Sequence, residues 1–244
     1  MYSSISVVIP VYNSASSLQE LCSKLNALLA VMAKEYEIIL IDDGSRDQSV
    51  QQIKEALAKY NKIKLICLES NFGQQNAIMC GFRHAKGDYV ITMDDDLQNP
   101  PEEIETLMKE IEKGYDVVYG IPRLKQHSEV RNFGSLMANF LFDVVCGKPK
   151  AVRVSSFRVL KRYIVEAVIE EKSSFVYISA ATLKYTKNIG NVIVQHEARK
   201  HGSSNYNILK LLKLFYNIYL NYSSLSKGFV RNNKPQYVIK EKSL

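Results

Sequence analysis

Short apolar runs alternate with amphipathic stretches over the first 120 residues of the chain. The runs are nearly continuous in apolar residues, which is typical of strands buried on both faces of a parallel sheet. They occupy residues 5–11, 37–41, 63–68, 88–93 and 115–120. The stretches between them carry apolar residues at helical spacing and predict helices over 16–33, 48–60, 74–86 and 102–113. This alternation predicts an α/β fold, with a mainly parallel, Rossmann-like sheet and helices on both faces.

The pattern is looser after residue 120. We expect, in order, a loop over 121–130, a helix over 131–146, an apolar run at 157–160 leading into a helix over 161–171, a strand over 189–195 and a polar loop over 197–206. Residues 207–221 have polar positions three or four apart in an otherwise apolar sequence, which predicts an amphipathic helix with a wide apolar face. This face either docks on the domain or lies on a membrane surface. The sequence therefore predicts a domain at 1–206, and a helix with a basic tail at 207–244.

Composition places the chain among globular proteins, with 46% hydrophobic and 23% charged residues. The four cysteines form no C-x-x-C pair, so a reducing cytoplasm is the simpler expectation. We expect no signal peptide, because the N-terminal residues lack a basic region followed by an apolar helix. We expect no transmembrane helix, because no apolar stretch approaches the ~20 residues that span a bilayer. The net charge of +7 is concentrated in the segment from Arg199 onward. Such a basic segment fits nucleic acid, an anionic membrane or a phosphorylated substrate, and it equally fits a solvated surface.

The most informative feature is the run of three carboxylates at 94–96, directly after the apolar run at 88–93. Pro100 and Pro101 follow and open the next predicted helix. The carboxylates therefore lie at the carboxyl end of a strand, where open α/β sheets bind ligands. Oxygen ligands suit Mg²⁺ or Mn²⁺, which usually bridge to substrate phosphates. The alternative is a solvated acidic turn near a helix N-terminus.

Two further strands end in loops with distinctive chemistry, Pro10–Asn13 and Asp42–Ser45. Because carboxyl ends of parallel strands share one edge of a sheet, these loops and the acidic run can form one pocket. A nucleoside diphosphate fits such a pocket: Tyr12 stacks on the base, a carboxylate accepts a base N–H, and a metal binds the pyrophosphate. The sequence has neither the G-x-G-x-x-G fingerprint nor a P-loop, so metal and basic side chains must hold the pyrophosphate.

In this order along the chain, the motifs resemble those of glycosyltransferase family 2, which has the GT-A fold. The closer resemblance is to the branch that includes dolichol-phosphate mannose synthase and bacterial polyprenyl-phosphate glycosyltransferases, and it spans residues 5 to about 221. The matching segments are 9–13, 42–45, 71–77, 94–102 and 199–206, although Asn205 stands where the branch usually has lysine.

The resemblance implies a role for individual residues. The nucleotide-binding residues would be Pro10, Tyr12, Asp42, Asp43, Asp94 and Asp95. The metal ligands for Mg²⁺ or Mn²⁺ would be Asp94, Asp96 and Gln98. The residues at the transferred phosphates and the acceptor would be Arg123, Arg131, Ser156 and Arg199. Asp94, Asp96 and Arg199 would be the catalytic set, with Arg199 closing over the diphosphate.

One departure from the branch bears on the acceptor. The branch commonly has G-D-F-R where this chain reads S-S-F-R, so Ser156 occupies the acidic position. A sugar hydroxyl needs a general base when it attacks an anomeric carbon, whereas a phosphate monoester is already an anion. The serine therefore favours a phosphate acceptor, unless another carboxylate such as Asp143 serves a hydroxyl.

We accordingly expect an inverting, metal-dependent glycosyltransferase that moves a sugar from a nucleotide-sugar donor to a polyprenyl phosphate. Many members of the branch continue into transmembrane helices, and this chain ends at Leu244. We therefore expect a cytoplasmic protein with peripheral contact to an anionic membrane. One alternative acceptor is a hydroxyl of a cell-surface polysaccharide or lipid-linked saccharide. Another class of function is a non-catalytic nucleotide-sugar-binding module. Nucleic-acid binding explains none of the three acidic loops.

Overall fold

A central sheet is built from the apolar runs that the sequence predicts as strands. The computed structural model describes residues 1–123, 146–197, 216–222 and 235–244. The strands are β1 (Tyr2–Val11), β2 (Ala33–Asp42), β3 (Ile63–Leu68), β4 (Tyr89–Thr92), β5 (Val117–Pro122), β6 (Arg158–Lys161), β7 (Ile189–Val194) and β8 (Ile239–Ser243). The helices with defined bounds are α1 (Leu18–Met32), α2 (Ser49–Lys59), α3 (Gln74–His84), α4 (Glu103–Ile111), α5 (Arg162–Ile169) and α6 (Ile178–Tyr185). Every element predicted over the first 120 residues is confirmed.

The sheet order among the described residues is β7-β5-β6-β4-β1-β2-β3-β8. β1 pairs in parallel with both β2 and β4, and β2 pairs in parallel with β3. β6 runs antiparallel between β4 and β5, and β8 runs antiparallel along β3. The chain leaves β1 toward β2 on one side and later adds β4 on the other. The gap between the ends of β1 and β4 is therefore a topological switch point, the usual ligand position in such sheets.

Helices cover both faces of the sheet, as predicted. The apolar faces of α1, α2 and α4 pack with one set of strand side chains, and those of α3, α5 and α6 pack with the other. Close approach of α3 depends on Gly81, because a Cβ built there would lie 2.3 Å from Cγ1 of Val8 and 2.8 Å from Cδ1 of Ile41. This packing fixes α3 against the sheet and so fixes where the helix begins, beside the switch point.

Two elements differ from the sequence interpretation. Helix α6 has no amphipathic pattern, because all its residues from Ile178 to Leu183 are buried. β8 lies within the segment 207–244 that the sequence analysis treats as an amphipathic helix and basic tail. Lys240 and Lys242 are thus part of the sheet, and Lys242 pairs in register with Ile66 of β3. Strand pairing of this kind depends on a partner far away along the chain, so local periodicity does not reveal it.

The described part of the predicted amphipathic helix covers residues 216–222. Ile218 and Tyr222 are buried against the domain, and the Tyr222 hydroxyl accepts a hydrogen bond from the Tyr177 backbone N–H at 3.1 Å. Tyr216 and Tyr219 are 60% and 40% exposed. The predicted helix over 131–146 lies almost wholly outside the described residues. Among the described residues, no helix has the length and apolarity needed to cross a bilayer.

Candidate active site

A cavity of about 320 Å³ opens at the carboxyl edge of the sheet, at the switch point between β1 and β4. Its walls come from the loops after β1, β2, β3 and β4. A larger cavity of about 410 Å³ opens at the opposite, amino edge and is lined by Glu37, Lys64 and Lys86 among others. None of the predicted site residues lines that larger cavity. The smaller cavity is the candidate site, because it gathers the predicted residues Pro10, Tyr12, Asp43, Asp94, Asp95 and Asp96.

The loop after β1 presents Tyr12 to the cavity. The backbone N–H of Tyr12 donates to Oδ2 of Asp95 at 3.2 Å, which ties this loop to the acidic run. Asn13 adopts a left-handed φ of 53°, a conformation that asparagine tolerates better than most residues. Its side-chain oxygen accepts the backbone N–H of Arg46 at 2.8 Å. These hydrogen bonds fix the loop, and the ring of Tyr12 is exposed and available for stacking.

The two carboxylates after β2 hold backbone in place. Asp42 is buried and accepts the backbone N–H of Ser45 at 3.3 Å, within the turn that Gly44 makes at φ 72°. Asp43 accepts the N–H of Phe72 at 2.7 Å and of Gly73 at 2.8 Å, so it fixes the loop between β3 and α3. Burial raises the pKa of Asp43 to about 6, against the lowering effect of those two bonds. Asp43 lines the cavity, whereas Asp42 does not.

Asp94 is held at both carboxylate oxygens. Oδ1 accepts Nε2 of Gln74 at 2.6 Å, and Oδ2 accepts the hydroxyl of Ser156 at 2.6 Å. Burial raises the pKa of Asp94 above its ordinary value, Asp96 adds to the shift, and the hydrogen bond from Ser156 opposes it. Ser156, predicted at the acceptor, therefore acts directly on a predicted metal ligand. Gln74 is a site residue that the sequence analysis gave no role, although it lies in the matched segment 71–77.

Asp95 and Asp96 point to different partners. Asp95 binds the loop after β1, and burial raises its pKa to about 6. Oδ1 of Asp96 accepts the backbone N–H of Gln98 at 3.1 Å. Leu97, between Asp96 and Gln98, has a left-handed φ of 59°, and its side chain is buried. A non-glycine residue in this conformation costs roughly 1–2 kcal/mol, and such strain concentrates at functional loops.

The acidic loop is also joined to the end of β7. The backbone N–H of Glu197 donates to the Gln98 carbonyl at 2.8 Å. Nδ1 of His196 lies 3.3 Å from Oδ1 of Asn99. The described chain therefore approaches the predicted metal ligands two residues before Arg199. Arg199 itself, Arg131 and Asp143 lie outside the described residues. Arg123 is exposed just beyond the carboxyl end of β5, at the same edge as the cavity.

The side chains present suit a hard divalent cation whose coordination is completed by substrate. No group of three or more His, Cys, Asp or Glu side chains among the described residues could hold a metal by itself. Mg²⁺ and Mn²⁺ do not need such a cage, because they commonly take one or two carboxylates plus substrate phosphates. Asp94, Asp96 and Gln98 supply oxygen donors of the right type beside the cavity.

Comparison with known proteins shows the family to which this chain belongs. The model of glycosyl transferase family 2 matches residues 6–169, and the chain belongs to that family. Among its curated relatives are the undecaprenyl-phosphate 4-deoxy-4-formamido-L-arabinose transferases of Klebsiella pneumoniae and Edwardsiella ictaluri. Each is 40% identical over 217 residues, which cover 88% of this chain and 66% of the relative. The resemblance to a polyprenyl-phosphate branch is confirmed by these relatives. The matched segment spans slightly less than two thirds of their length.

Solved structures confirm the GT-A fold. Glucosyl-3-phosphoglycerate synthase from Mycobacterium tuberculosis, in complex with Mn²⁺ and UDP-glucose, superposes with a TM-score of 0.69 at 15% identity, covering 97% of this chain and 86% of that one. A complex of the same enzyme with Mn²⁺, UDP and phosphoglyceric acid gives a TM-score of 0.68 at 17% identity, covering 94% and 80%. At these identities the likeness concerns the fold.

Proposed function

We propose that this chain transfers a sugar from a nucleoside diphosphate donor to a polyprenyl phosphate, inverting the anomeric carbon, with Mg²⁺ or Mn²⁺ bound. The observation that carries the proposal is the cavity at the switch point, where Tyr12, Asp43 and the acidic run meet. The relatives named for transfer to undecaprenyl phosphate support the same class of acceptor. The fold neighbours that were solved with Mn²⁺ and UDP or UDP-glucose support the donor class and the cation.

Each part of the cavity has a role in this proposal. The Tyr12 ring is proposed to stack on the base and Asp43 to accept a base N–H, while Asp42 fixes the turn that Gly44 makes. Asp94, Asp96 and Gln98 would hold the cation, which would neutralise charge on the departing diphosphate. Arg123, Arg131 and Arg199 are proposed to bind the phosphates of donor and acceptor. Most of the catalysis is then positioning and electrostatic stabilisation.

The hydrogen bonds in the cavity favour an anionic acceptor. Asp43 and Asp95 accept backbone N–H groups, and Asp94 accepts the Ser156 hydroxyl. Asp96 also lines the cavity and is assigned to the cation, so in this proposal none of the described carboxylates of the cavity is assigned to deprotonate a hydroxyl. A phosphate monoester needs no such base, because it already carries the attacking anion. A polysaccharide hydroxyl acceptor is less compatible with this arrangement.

Membrane association is part of the proposal, because a long isoprenoid acceptor resides in a bilayer. The exposed rings of Tyr216 and Tyr219 support contact with the interface. Ile218 and Tyr222 are buried against the domain, so part of the helix's apolar face serves docking instead. Co-sedimentation with anionic vesicles at low salt and at about 0.5 M salt separates apolar insertion from charge attraction, since only the latter is screened. Absence of binding at low salt would contradict the membrane contact.

The function is tested with Asp96→Ala and a donor screen. Nucleotide sugars are first ranked by thermal shift with Mn²⁺ present, since a bound donor stabilises the folded state. Transfer to a short-chain polyprenyl phosphate is then measured. Asp96→Ala should lower kcat by about 10²–10³, the usual loss for one such electrostatic contact, with unfolding unchanged. Glu102→Ala is the matched control, because Glu102 is an exposed carboxylate of the same loop region. Near-normal transfer by Asp96→Ala in saturating Mn²⁺ would contradict the proposed site.

The acceptor class is tested separately. The enzyme is offered the polyprenyl phosphate, the matching polyprenol and an oligosaccharide with the same donor. We expect product from the phosphate alone. Transfer to the oligosaccharide but not to the phosphate would show the hydroxyl alternative to be right, and donor binding without any turnover would favour the non-catalytic module.

A further inference from the structure

A buried arginine lies directly behind the acidic run. Arg158 is 1% exposed, and it pairs with Thr92 across the antiparallel strands β6 and β4. Its Nε donates to Oγ1 of Thr92 at 3.0 Å, and its Nη1 donates to Oγ of Ser179 at 2.8 Å. The guanidinium carbon is 5.8 Å from the centre of the Tyr119 ring. These partners are all uncharged, and a buried charge is costly unless another charge compensates it. The positive charge of Arg158 acts on Asp94 and opposes the rise of its pKa.

Hydrogen bonds connect this arginine to Asp94. The hydroxyl of Thr92 accepts the Arg158 Nε–H and donates its own proton to the Ser156 carbonyl at 2.5 Å. The side-chain hydroxyl of Ser156, a separate group from that carbonyl, donates to Oδ2 of Asp94 at 2.6 Å. The direction of the first two bonds is fixed, because a guanidinium only donates and a carbonyl only accepts. Arg158 therefore forces the proton of Thr92 toward Ser156.

We propose that Arg158, Thr92 and Ser156 are positioning residues that set the orientation of Asp94 before the cation and the donor bind. Arg158 and Thr92 hold the backbone of Ser156 through its carbonyl, and the Ser156 hydroxyl holds one oxygen of Asp94. Gln74 holds the other oxygen of the same carboxylate. The inference rests on the proposed function, in which Asp94 is a cation ligand. It adds to that function a second role for Ser156, besides its predicted position at the acceptor. It also adds a supporting role for Arg158 and Thr92, which act on Asp94 without touching substrate.

The orientation of Asp94 before binding matters, because a carboxylate that must first rotate into place binds a metal ion more weakly. Hydrogen-bond partners behind metal ligands typically contribute 10–100-fold in metal affinity. The competing explanation is that Arg158 and Thr92 only join β4, β6 and α6, which would affect stability and leave metal affinity unchanged. The two explanations differ in what the removal of one hydroxyl does to Mn²⁺ binding.

The test is a double-mutant cycle with Thr92→Val and Ser156→Ala in the full chain. Mn²⁺ alone is titrated, and the free ion is followed by its EPR signal, with unfolding measured in parallel. Each single variant should weaken Mn²⁺ binding by about tenfold. The double variant should bind no more weakly than Ser156→Ala, because Thr92 acts through Ser156. Thr92→Ser and Ser156→Thr keep the hydroxyls and should restore wild-type affinity.

Tyr119→Phe is the matched control. Tyr119 lies against the same guanidinium, but its hydroxyl is buried, has no hydrogen-bond partner among the described residues and takes no part in the contacts to Asp94. It should leave Mn²⁺ affinity unchanged. Wild-type affinity in Thr92→Val, or losses that multiply in the double variant, would overturn the inference. Failure of the wild-type chain to bind Mn²⁺ at millimolar concentration, both alone and with UDP added, would overturn the proposed cation site itself, and this inference with it.

Discussion

Glu37 is the centre of a buried polar network at the amino edge of the sheet, opposite the candidate site. Its Oε1 accepts the hydroxyl of Ser6 and the backbone N–H of Lys86, both at 2.6 Å. Its Oε2 accepts Nζ of Lys64 at 2.7 Å. The network joins β1, β2, β3 and the turn before β4. We expect Glu37→Gln to destabilise the fold without affecting transfer.

The size of the effect follows from these contacts. A glutamine keeps one oxygen, and its NH₂ group must face at least one of the groups that now donate to Glu37. Hydrogen bonds to a charged group contribute roughly 1.5–3 kcal/mol, and Lys64 would be left without its partner in a site where its side chain is 21% exposed. A loss of about 3 kcal/mol results, which lowers the Tm of a chain this size by roughly 6–12 °C.

The loss should depend on pH. Burial opposes ionisation of Glu37, but the bonds from Lys64, Ser6 and Lys86 together outweigh it and lower the pKa of Glu37. A carboxyl with a lowered folded-state pKa stabilises the protein above its unfolded pKa, and that stability is lost as pH falls through the folded value. The gap between the wild type and Glu37→Gln should therefore be widest near neutral pH and should narrow below about pH 4.

The assay is thermal unfolding followed by circular dichroism at neutral and acidic pH. Glu35→Gln is the matched control on the same strand. Glu35 pairs with Lys62 at 3.0 Å, but its side chain is 74% exposed, so its loss should cost less than about 1 kcal/mol. Equal Tm values for the two variants at neutral pH would refute the argument. So would a Glu37→Gln penalty that stays constant down to pH 3.

Two further predictions concern the chain terminus and the thiols. Gln236 donates to the carbonyls of Glu171 and Ser173 at 2.7 Å and accepts from Arg83 at 2.6 Å, so Gln236→Ala should cost about 2–3 kcal/mol. Hydrogen exchange of the β8 amides should be faster in this variant than in the wild type. Unchanged protection of those amides would contradict the prediction. Burial raises the pKa of Cys22 and Cys80 to about 12, and Ellman's reagent should label these thiols only after unfolding. Rapid labelling of the native protein would contradict their burial.

The order of strands and helices up to residue 120 could be predicted from the sequence, because each element has a local cause. The apolar runs are long enough for buried strands, and the stretches between them have helical periodicity. The positions of Tyr12, Asp43 and the acidic run followed from the same pattern, since parallel strands place their carboxyl ends at one edge. These residues do line one cavity.

Other features depended on contacts between distant residues. The run at 157–160 indicates an apolar element, but only pairing with β4 and β5 makes it an antiparallel strand between them. The residues of β8 have the composition of a basic tail, and only their pairing with β3 makes them a strand. Helix α6 shows no periodic pattern, because its residues from Ile178 to Leu183 are all buried.

The roles of individual side chains were decided last. Asp43 lines the cavity and also holds the loop before α3 by hydrogen bonds. No local sequence pattern indicates this second role. In the sequence, Ser156 stands at a position where the branch usually has an acidic residue. Only the tertiary structure brings its hydroxyl to Asp94. Gln74 and Arg158 lie 20 and 64 residues from Asp94 in the sequence. A local pattern determines which face of an element is apolar, whereas the folded chain determines which polar atoms meet, because those distances are set by packing between elements.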